Sequence, residues 1–469
     1  MKLYEQLADS LADRIDQGYY QTGDKLPSIR QVSQDHHVSI STVQEAYHLL
    51  EERRLAEVRP KSGYYVLGAQ ASPKLPSISR PSQKPLAVCQ WELVLQLLHS
   101  HENEGETALG KGTPDVTAKS LKPLSRIMAN MARRTDIASF TYGDLQGSAQ
   151  LRHQIARLMV DSGCRLHPDD IVITTGCQEA LACSMRSVAN SGDIVAIESP
   201  SFYGSMQALQ AMGLKALEIP THPETGISVE ALELALEQWP IKVVQLTPVC
   251  NNPLGYTMPA ANMEKIIELA NHYDLAIIED DIYGDLAYGY PRPRTLKSFD
   301  TEGRVLFCSS FSKTIAPAFR TGWCAPGRYL QQVKHMKYVS TACSSVLQPQ
   351  AIAEFIAEGH YERHVRKMRS QYLQGRDCMI SWVSRFFPEG TKMSYPQGSF
   401  LLWVELPKAI DTVELNKKLL AHKISIAPGV LFTASKKYRH CLRLNYSQEP
   451  NENIRQAVQT IGDIAKSFR

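Results

Sequence analysis

Residues 305–323 read VLFCSSFSKTIAPAFRTGW. The opening VLFC is an apolar run without alternation, the composition of a strand covered on both faces by helices. Directly after it come Ser310, Ser312, Lys313 and Arg320. Hydroxyls, an ammonium and a bidentate guanidinium in one loop make a clamp for phosphate. A lysine beside a second cation also has its pKa lowered, as an amine that attacks a carbonyl requires. Open α/β sheets bind ligands at the C-terminal ends of their strands. This stretch therefore predicts both the architecture and the place of its chemistry.

Other runs of the same kind lie on both sides: DIVITTG at 170–176, DIVAIES at 193–199, KVVQLTP at 242–248 and LAIIED at 275–280. They alternate with longer amphipathic segments, which predicts a mostly parallel sheet with helices on both faces. After residue 330 the pattern is helical, then mixed, with strand candidates FLLWVEL and CLRLNY. In IVITTGCQEALACSM a strand runs into Gly176, Cys177 and Gln178 and then a helix, whose N-terminal N–H groups suit an anion. Asp280 and Tyr283 close the LAIIED strand, and Asn252 follows KVVQLTP. A buried carboxylate facing a pyridine nitrogen keeps that nitrogen protonated and makes the ring an electron sink.

Residues 1–66 differ in pattern. Leu3, Leu7, Leu11 and Ile15 form one apolar helical stripe. Ser28 is placed to cap a second helix from Ile29, and Ser39 or Ser41 a third. Two short helices across a tight turn, followed by a hairpin at SGYYV, predict a helix-turn-helix with a wing. The segment holds eight Lys/Arg against ten Asp/Glu, so a basic footprint has to come from clustering, with Lys25, Arg30, Arg59 and Lys61 as candidates. Residues 67–90 are rich in Pro, Ser and Lys and predict an extended linker.

The chain has 469 residues, 43% hydrophobic and 21% charged, with a net charge of +3. That excludes a disordered or collagenous chain. The absence of a long apolar run predicts no membrane span, and a charged N-terminus predicts no signal peptide, hence a cytoplasmic protein. Ten cysteines without a C-x-x-C pair predict reduced thiols and no metal site. His360 and His364 stand four apart in the charged EGHYERHVRKMR, where a solvated helix is expected.

Two resemblances follow. The string LPSIRQVSQDHHVSISTVQEAYHLLEERRLAEVRPKSGYYV is similar to the winged helix-turn-helix of GntR-type transcription regulators. That resemblance puts Arg30, Ser39, Ser41, Thr42 and Gly63 against operator DNA. Ile40 and Gln44 stand where many relatives carry Arg, so base reading would rest on other groups. From about residue 105 to 465 the chain resembles the fold-type I, aspartate-aminotransferase-like enzymes that use pyridoxal 5′-phosphate. The resemblance implies that Lys313 carries the cofactor as an internal aldimine. Ser310, Ser312, Arg320, Gly176, Cys177 and Gln178 would hold the phosphate. Asp280 would face the ring nitrogen, Asn252 and Tyr283 the 3′-oxygen, and Phe202 would stack on the ring. Tyr142 would reach a neighbouring subunit's phosphate, which implies a homodimer. Arg443 would clamp a substrate carboxylate, with Gly112 nearby.

Together the two resemble the MocR subfamily of GntR regulators. The implied organisation is a DNA-binding domain at 1–66, a linker at 67–90 and an aminotransferase-like, dimerising domain at 91–469. The implied function is regulation through a small amine or amino acid bound as an external aldimine. A working aminotransferase that also binds DNA is the alternative.

Overall fold

The computed structural model describes residues 3–16, 19–20, 23–52, 55–59, 62–66, 73–88, 91–92, 94–95, 105–134, 141–435 and 437–468. The chain divides into two compact units, Met1–Pro73 and Lys74–Arg469.

In the first unit, helices Leu3–Asp16, Ile29–Asp35 and Ile40–Glu52 precede an antiparallel ribbon of Ala56–Arg59 with Gly63–Val66. Leu7, Leu11 and Ile15 of the predicted stripe pack with Val32, Val43, Tyr47 and Leu50, whereas Leu3 in the first turn stays exposed. Tyr47 ties helix to wing: its ring stacks on Tyr64 at 4.7 Å, and its hydroxyl donates to the Pro27 carbonyl at 2.7 Å. Ser28 Oγ accepts the Gln31 N–H, and Ser39 Oγ accepts that of Thr42 at 3.1 Å. Of the two candidate caps of the third helix, Ser39 is thus the one that acts. Ser39→Ala is expected to cost about 1 kcal/mol, read as a lower urea midpoint of the full chain's first transition.

The second unit is built on a large sheet. Its central strands Lys215–His222, Ile194–Ser199, Ile241–Leu246, Ala276–Asp280 and Val305–Ser310 are parallel neighbours in that order. Val195 and Ile197 pack into one core and Ile194 and Ala196 into another, because successive side chains leave a strand on opposite faces. This two-sided burial explains why the strands read as unbroken apolar runs. Gly322–Ala325 and then Val172–Thr174 close one edge, each antiparallel to its neighbour. The strands of FLLWVEL and CLRLNY pair antiparallel in a second, four-stranded sheet that sets Trp403 opposite Arg443. The architecture is thus a helix-turn-helix unit plus an α/β body with a mostly parallel sheet and a smaller antiparallel one.

Two expectations change. The segment expected to be a linker to residue 90 joins the large unit from Lys74. Leu86–Ala87 pairs antiparallel with Lys215–His222, and Val88 is buried in the core. Backbone pairing and serine hydroxyls hold this segment, so it carries little apolar pattern. Residues 67–72, 89 and 90 and the candidate Lys61 lie outside the described residues. The second change concerns the helix His360–Phe386, which is not solvated all round: Tyr361, His364, Val365 and Met368 are buried. His364 Nδ1 meets Ser120 Oγ at 2.8 Å, and Nε2 meets the Thr314 carbonyl at 2.7 Å.

Among the described residues, no helix is long and apolar enough to cross a membrane and no His/Cys/Asp/Glu group is placed for a metal ion. The described cysteines are free thiols, most of them buried.

Candidate functional site

The parallel strands end at a common cleft of about 150 Å³. Ten of the predicted residues line it: Cys177, Gln178, Phe202, Asn252, Asp280, Tyr283, Ser310, Ser312, Lys313 and Arg320. They lie at or just after the ends of five strands, each carried to the cleft because its strand ends there.

Among the described residues Lys313 is held by one hydrogen bond, from Nζ to the Gly112 carbonyl at 2.6 Å. Burial, and then the charge of Arg443, push its amine down to about 8. Asp280 lies at the floor and is buried. Burial pushes its carboxyl up to about 6 although the Cys177 thiol and the Ile282 N–H hydrogen-bond it. Tyr283 is buried with its ring edge-on to Phe400, and its phenol is raised by burial.

Arg443 is fully buried and has no carboxylate partner among the described residues. Its Nη1 donates to Asn252 Oδ1 at 2.9 Å and its Nη2 to the Gly110 carbonyl at 2.7 Å, while its Nε has no partner. A buried guanidinium with only neutral partners among the described residues and one orphaned donor has the chemistry to receive an anion. Gly112 joins these groups. A β-carbon there would stand 3.6 Å from Tyr283 Oη, 3.8 Å from Arg443 Nη2 and 3.8 Å from Lys313 Nζ.

At the other wall Gly176 precedes the helix Cys177–Val188 with a φ of +110. A β-carbon there would meet Arg320 Nη2 at 2.6 Å. Arg320 itself is left-handed, and its guanidinium donates to the Thr175 and Pro317 carbonyls. The helix N-terminus, Ser310, Ser312 and Arg320 therefore form a donor-rich cradle, and Glu179 in the helix's first turn is bonded to Thr175 N and Oγ1 and to the Thr341 hydroxyl. Gly176→Ala is expected to cost about 1–3 kcal/mol through backbone strain and to displace Arg320. A lower unfolding midpoint together with weaker protection by inorganic phosphate would show both effects.

Tyr142 is 90% exposed and lies outside the cleft of the single chain. Sequence reasoning missed Leu181, Thr247, Ile282 and Pro317, which also line it. Thr247 sits at the end of KVVQLTP, so its position was a usable signal. Glu198 was missed as well. Its buried carboxylate accepts from Thr247 N at 3.1 Å, Asn251 Nδ2 at 3.0 Å and the Tyr256 hydroxyl, and so shapes the loop carrying Asn252. Burial pushes it up to about 7.

In the first unit Ser39, Ser41 and Thr42 cluster at the start of the third helix, their hydroxyls 2.8 Å apart through Ser39. Ser41 and Ile40 are exposed, as is Arg30 on the second helix. Gly63 opens the wing strand with a φ of +116, and Lys25 Cε stands 3.2 Å from the place of its missing β-carbon.

A helix-turn-helix unit joined to a body of this kind defines a class of protein: a bacterial transcription regulator with an aminotransferase-like domain. The gntR family of bacterial regulatory proteins matches residues 3–66, and the aminotransferase class I and II family matches residues 104–461. The chain belongs to both families, the pairing found in MocR-type regulators. It is 49% identical to the uncharacterized HTH-type transcriptional regulator YjiR of Escherichia coli, over 99% of this chain and 98% of that one. With YdcR of the same organism, another uncharacterized HTH-type transcriptional regulator, identity is 35% over 99% of both chains. A solved structure of Pyrococcus horikoshii kynurenine aminotransferase, in complex with PMP, is 30% identical. It superposes with a TM-score of 0.73 over 80% of this chain and 94% of that one.

Proposed function

We propose that this regulator takes pyridoxal 5′-phosphate on Lys313 and senses a small amine or amino acid there, acting as a cytoplasmic homodimer on operator DNA. The observation that carries the reading is the meeting of Lys313, Tyr283 and Arg443 around Gly112, with Asp280 at the floor of the same cleft. The residues fit the cofactor. The cradle of Gly176, Cys177, Gln178, Ser310, Ser312 and Arg320 suits its phosphate. Asp280, a buried carboxylate in no ion pair among the described residues, suits a protonated ring nitrogen. Asn252 and Tyr283 would take the ring oxygen and Phe202 the ring face. When bound, the cofactor supplies an aldehyde that one primary amine takes over from another.

The chain's own groups do the rest. Lys313 supplies the reactive amine, whose neutral form its lowered pKa makes easier to reach, Asp280 holds a proton on the ring nitrogen, and Arg443 orients an effector carboxylate. The exposed Tyr142 supports a role across a twofold subunit boundary. A monomeric mass at micromolar concentration, measured with cofactor present, would remove the dimer from this reading. At the DNA, Arg30, Ser39, Ser41, Thr42 and Gly63 form the contact set.

The lowered Lys313 sets a pH dependence. The reactive form is the neutral amine, so capture of pyridoxal phosphate is expected to quicken about tenfold per pH unit below about pH 8. Above that value the rate should level off. Stopped-flow absorbance against pH checks the break. In Arg443→Gln the break should move to higher pH, since the charge of Arg443 is among the causes that lower Lys313.

The second reading, a working aminotransferase, is favoured by the completeness of Lys313, Asp280, Tyr283 and Arg443 in one cleft. One experiment separates the two. The protein selects a duplex from a random-sequence library, and amines are then titrated while cofactor absorbance and duplex affinity are followed together. An absorbance change that shifts affinity supports sensing. Steady turnover with a keto acid and no shift in affinity supports the enzyme.

A further inference from the structure

We propose that residues 74–80 are a strap whose attachment is coupled to the state of the cofactor cleft, so that occupancy alters how the chain leading from the DNA-binding unit is anchored. This rests on the cofactor reading above.

The strap grips two different sheets of the large unit. At one end it holds the small antiparallel sheet. Met393 N donates to the Lys74 carbonyl at 2.9 Å. Glu405 accepts from Ser77 N at 2.7 Å and from Ser77 Oγ at 2.9 Å, and Lys392 bridges Ser77 and Glu405 at 2.7 and 3.2 Å. A few residues on, the strap holds the large sheet. Thr221 N donates to Ser79 Oγ at 2.7 Å, and Ser79 N to the Thr221 carbonyl at 3.4 Å. Ser79 is buried there.

The buried end is bonded through hydroxyls to the segments that lead to Phe202 and to Arg443. Thr221 Oγ1 accepts from Ser199 N at 3.0 Å, and Ser199 Oγ meets the Tyr438 hydroxyl at 2.8 Å. Ser199 lies three residues before Phe202, a wall of the cleft, and Ser201 N is bonded to the Phe432 carbonyl. Tyr438 lies five residues before Arg443. The Phe432 ring packs on the Arg443 guanidinium, 5.0 Å from its centroid. A hydrogen-bonded cluster of Ser79, Thr221, Ser199 and Tyr438 thus joins the strap to the segments that carry Phe202 and Arg443.

The strap has space to move. A cavity of about 750 Å³ lies between Pro76–Arg80 on one side and Pro200, Leu254, Trp403 and Tyr438 on the other. Its grip is polar and short, without the broad apolar burial that fixes the strands. Any change that shifts Ser199 or Tyr438 when Phe202 or Arg443 engages a ligand therefore changes the hold on Ser79. By reciprocity, loosening the strap must change affinity at the cleft by the same factor.

The test uses the full-length protein and pyridoxal phosphate as probe. Hydrogen exchange is measured on peptides covering 74–88 with and without the cofactor. Cofactor affinity is measured for wild type, Ser79→Ala, Glu405→Gln and Ser77→Ala. Ser77 is exposed, so its variant tests the grip without a buried lesion. Exchange across 74–88 is expected to change on loading, and the variants to shift cofactor affinity about fivefold or more, the lower end of site–site coupling. Unchanged exchange with unchanged affinities, in a wild type that binds the cofactor, overturns the strap and leaves the cofactor reading standing. A wild type that binds no pyridoxal phosphate overturns both.

Discussion

Lys313→Ala is expected to give a folded, full-length protein that forms no borohydride-reducible adduct with pyridoxal phosphate and lacks the yellow absorbance of the wild type. The loss should be complete, because only a primary amine can form the covalent bond, and Lys313 is the amine whose Nζ sits beside Gly112, Tyr283 and Arg443. Folding should survive: among the described residues Nζ makes one hydrogen bond, to a carbonyl, and removing a buried amine that is pushed down to about 8 relieves a desolvation cost. Non-covalent capture should also survive, since the donors of Ser310, Ser312, Arg320 and the helix N-terminus are untouched. The decisive measurement is mass spectrometry after borohydride. An adduct retained in Lys313→Ala would put the reactive amine elsewhere.

The second large effect concerns Arg443. Arg443→Ala is expected to weaken the response to α-amino acids by about 1.5–3 kcal/mol, the range for a hydrogen bond to a charged group. That is roughly tenfold to a hundredfold in midpoint. Cofactor capture should persist, because Arg443 reaches the cleft through Asn252 and Gly110 and stands apart from the phosphate cradle. The substitution also leaves the Gly110 carbonyl without its donor, so some stability is lost. Arg443→Lys keeps the charge and loses the fork, and it should give a partial response. Duplex affinity is measured against amino acid concentration for each variant. An unchanged midpoint in Arg443→Ala would show an effector without a carboxylate at this position.

Much of this was legible in the chain because it is local. The strand–loop segment around Lys313, the strand ends at Asp280 and Asn252, and the turn at Gly176 each combine an apolar run with the polar residues that follow it. A parallel sheet then gathers all of those ends on one edge. The caps at Ser28 and Ser39 were legible for the same reason, since each hydroxyl bonds an N–H three residues away.

The rest depended on distant partners. That Arg443 is a buried cation served by Asn252 and Gly110, with no carboxylate among the described residues, follows from bringing together positions far apart in the chain. His364 read as part of a charged surface helix, and only packing against Ser120 and Thr314 buried it. Residues 74–88 read as linker because proline and serine carry no apolar period. Glu405 and Thr221 decide that they are held, through hydrogen bonds no composition encodes. The sequence alone determined the two domain types, the strand order of events along the chain and the polar groups at each strand end, because local periodicity and adjacency specify them. Which of those groups meet, which are desolvated, and where the connecting segment is anchored were decided by the tertiary structure. Desolvation and long-range hydrogen bonding exist only once the chain has closed on itself.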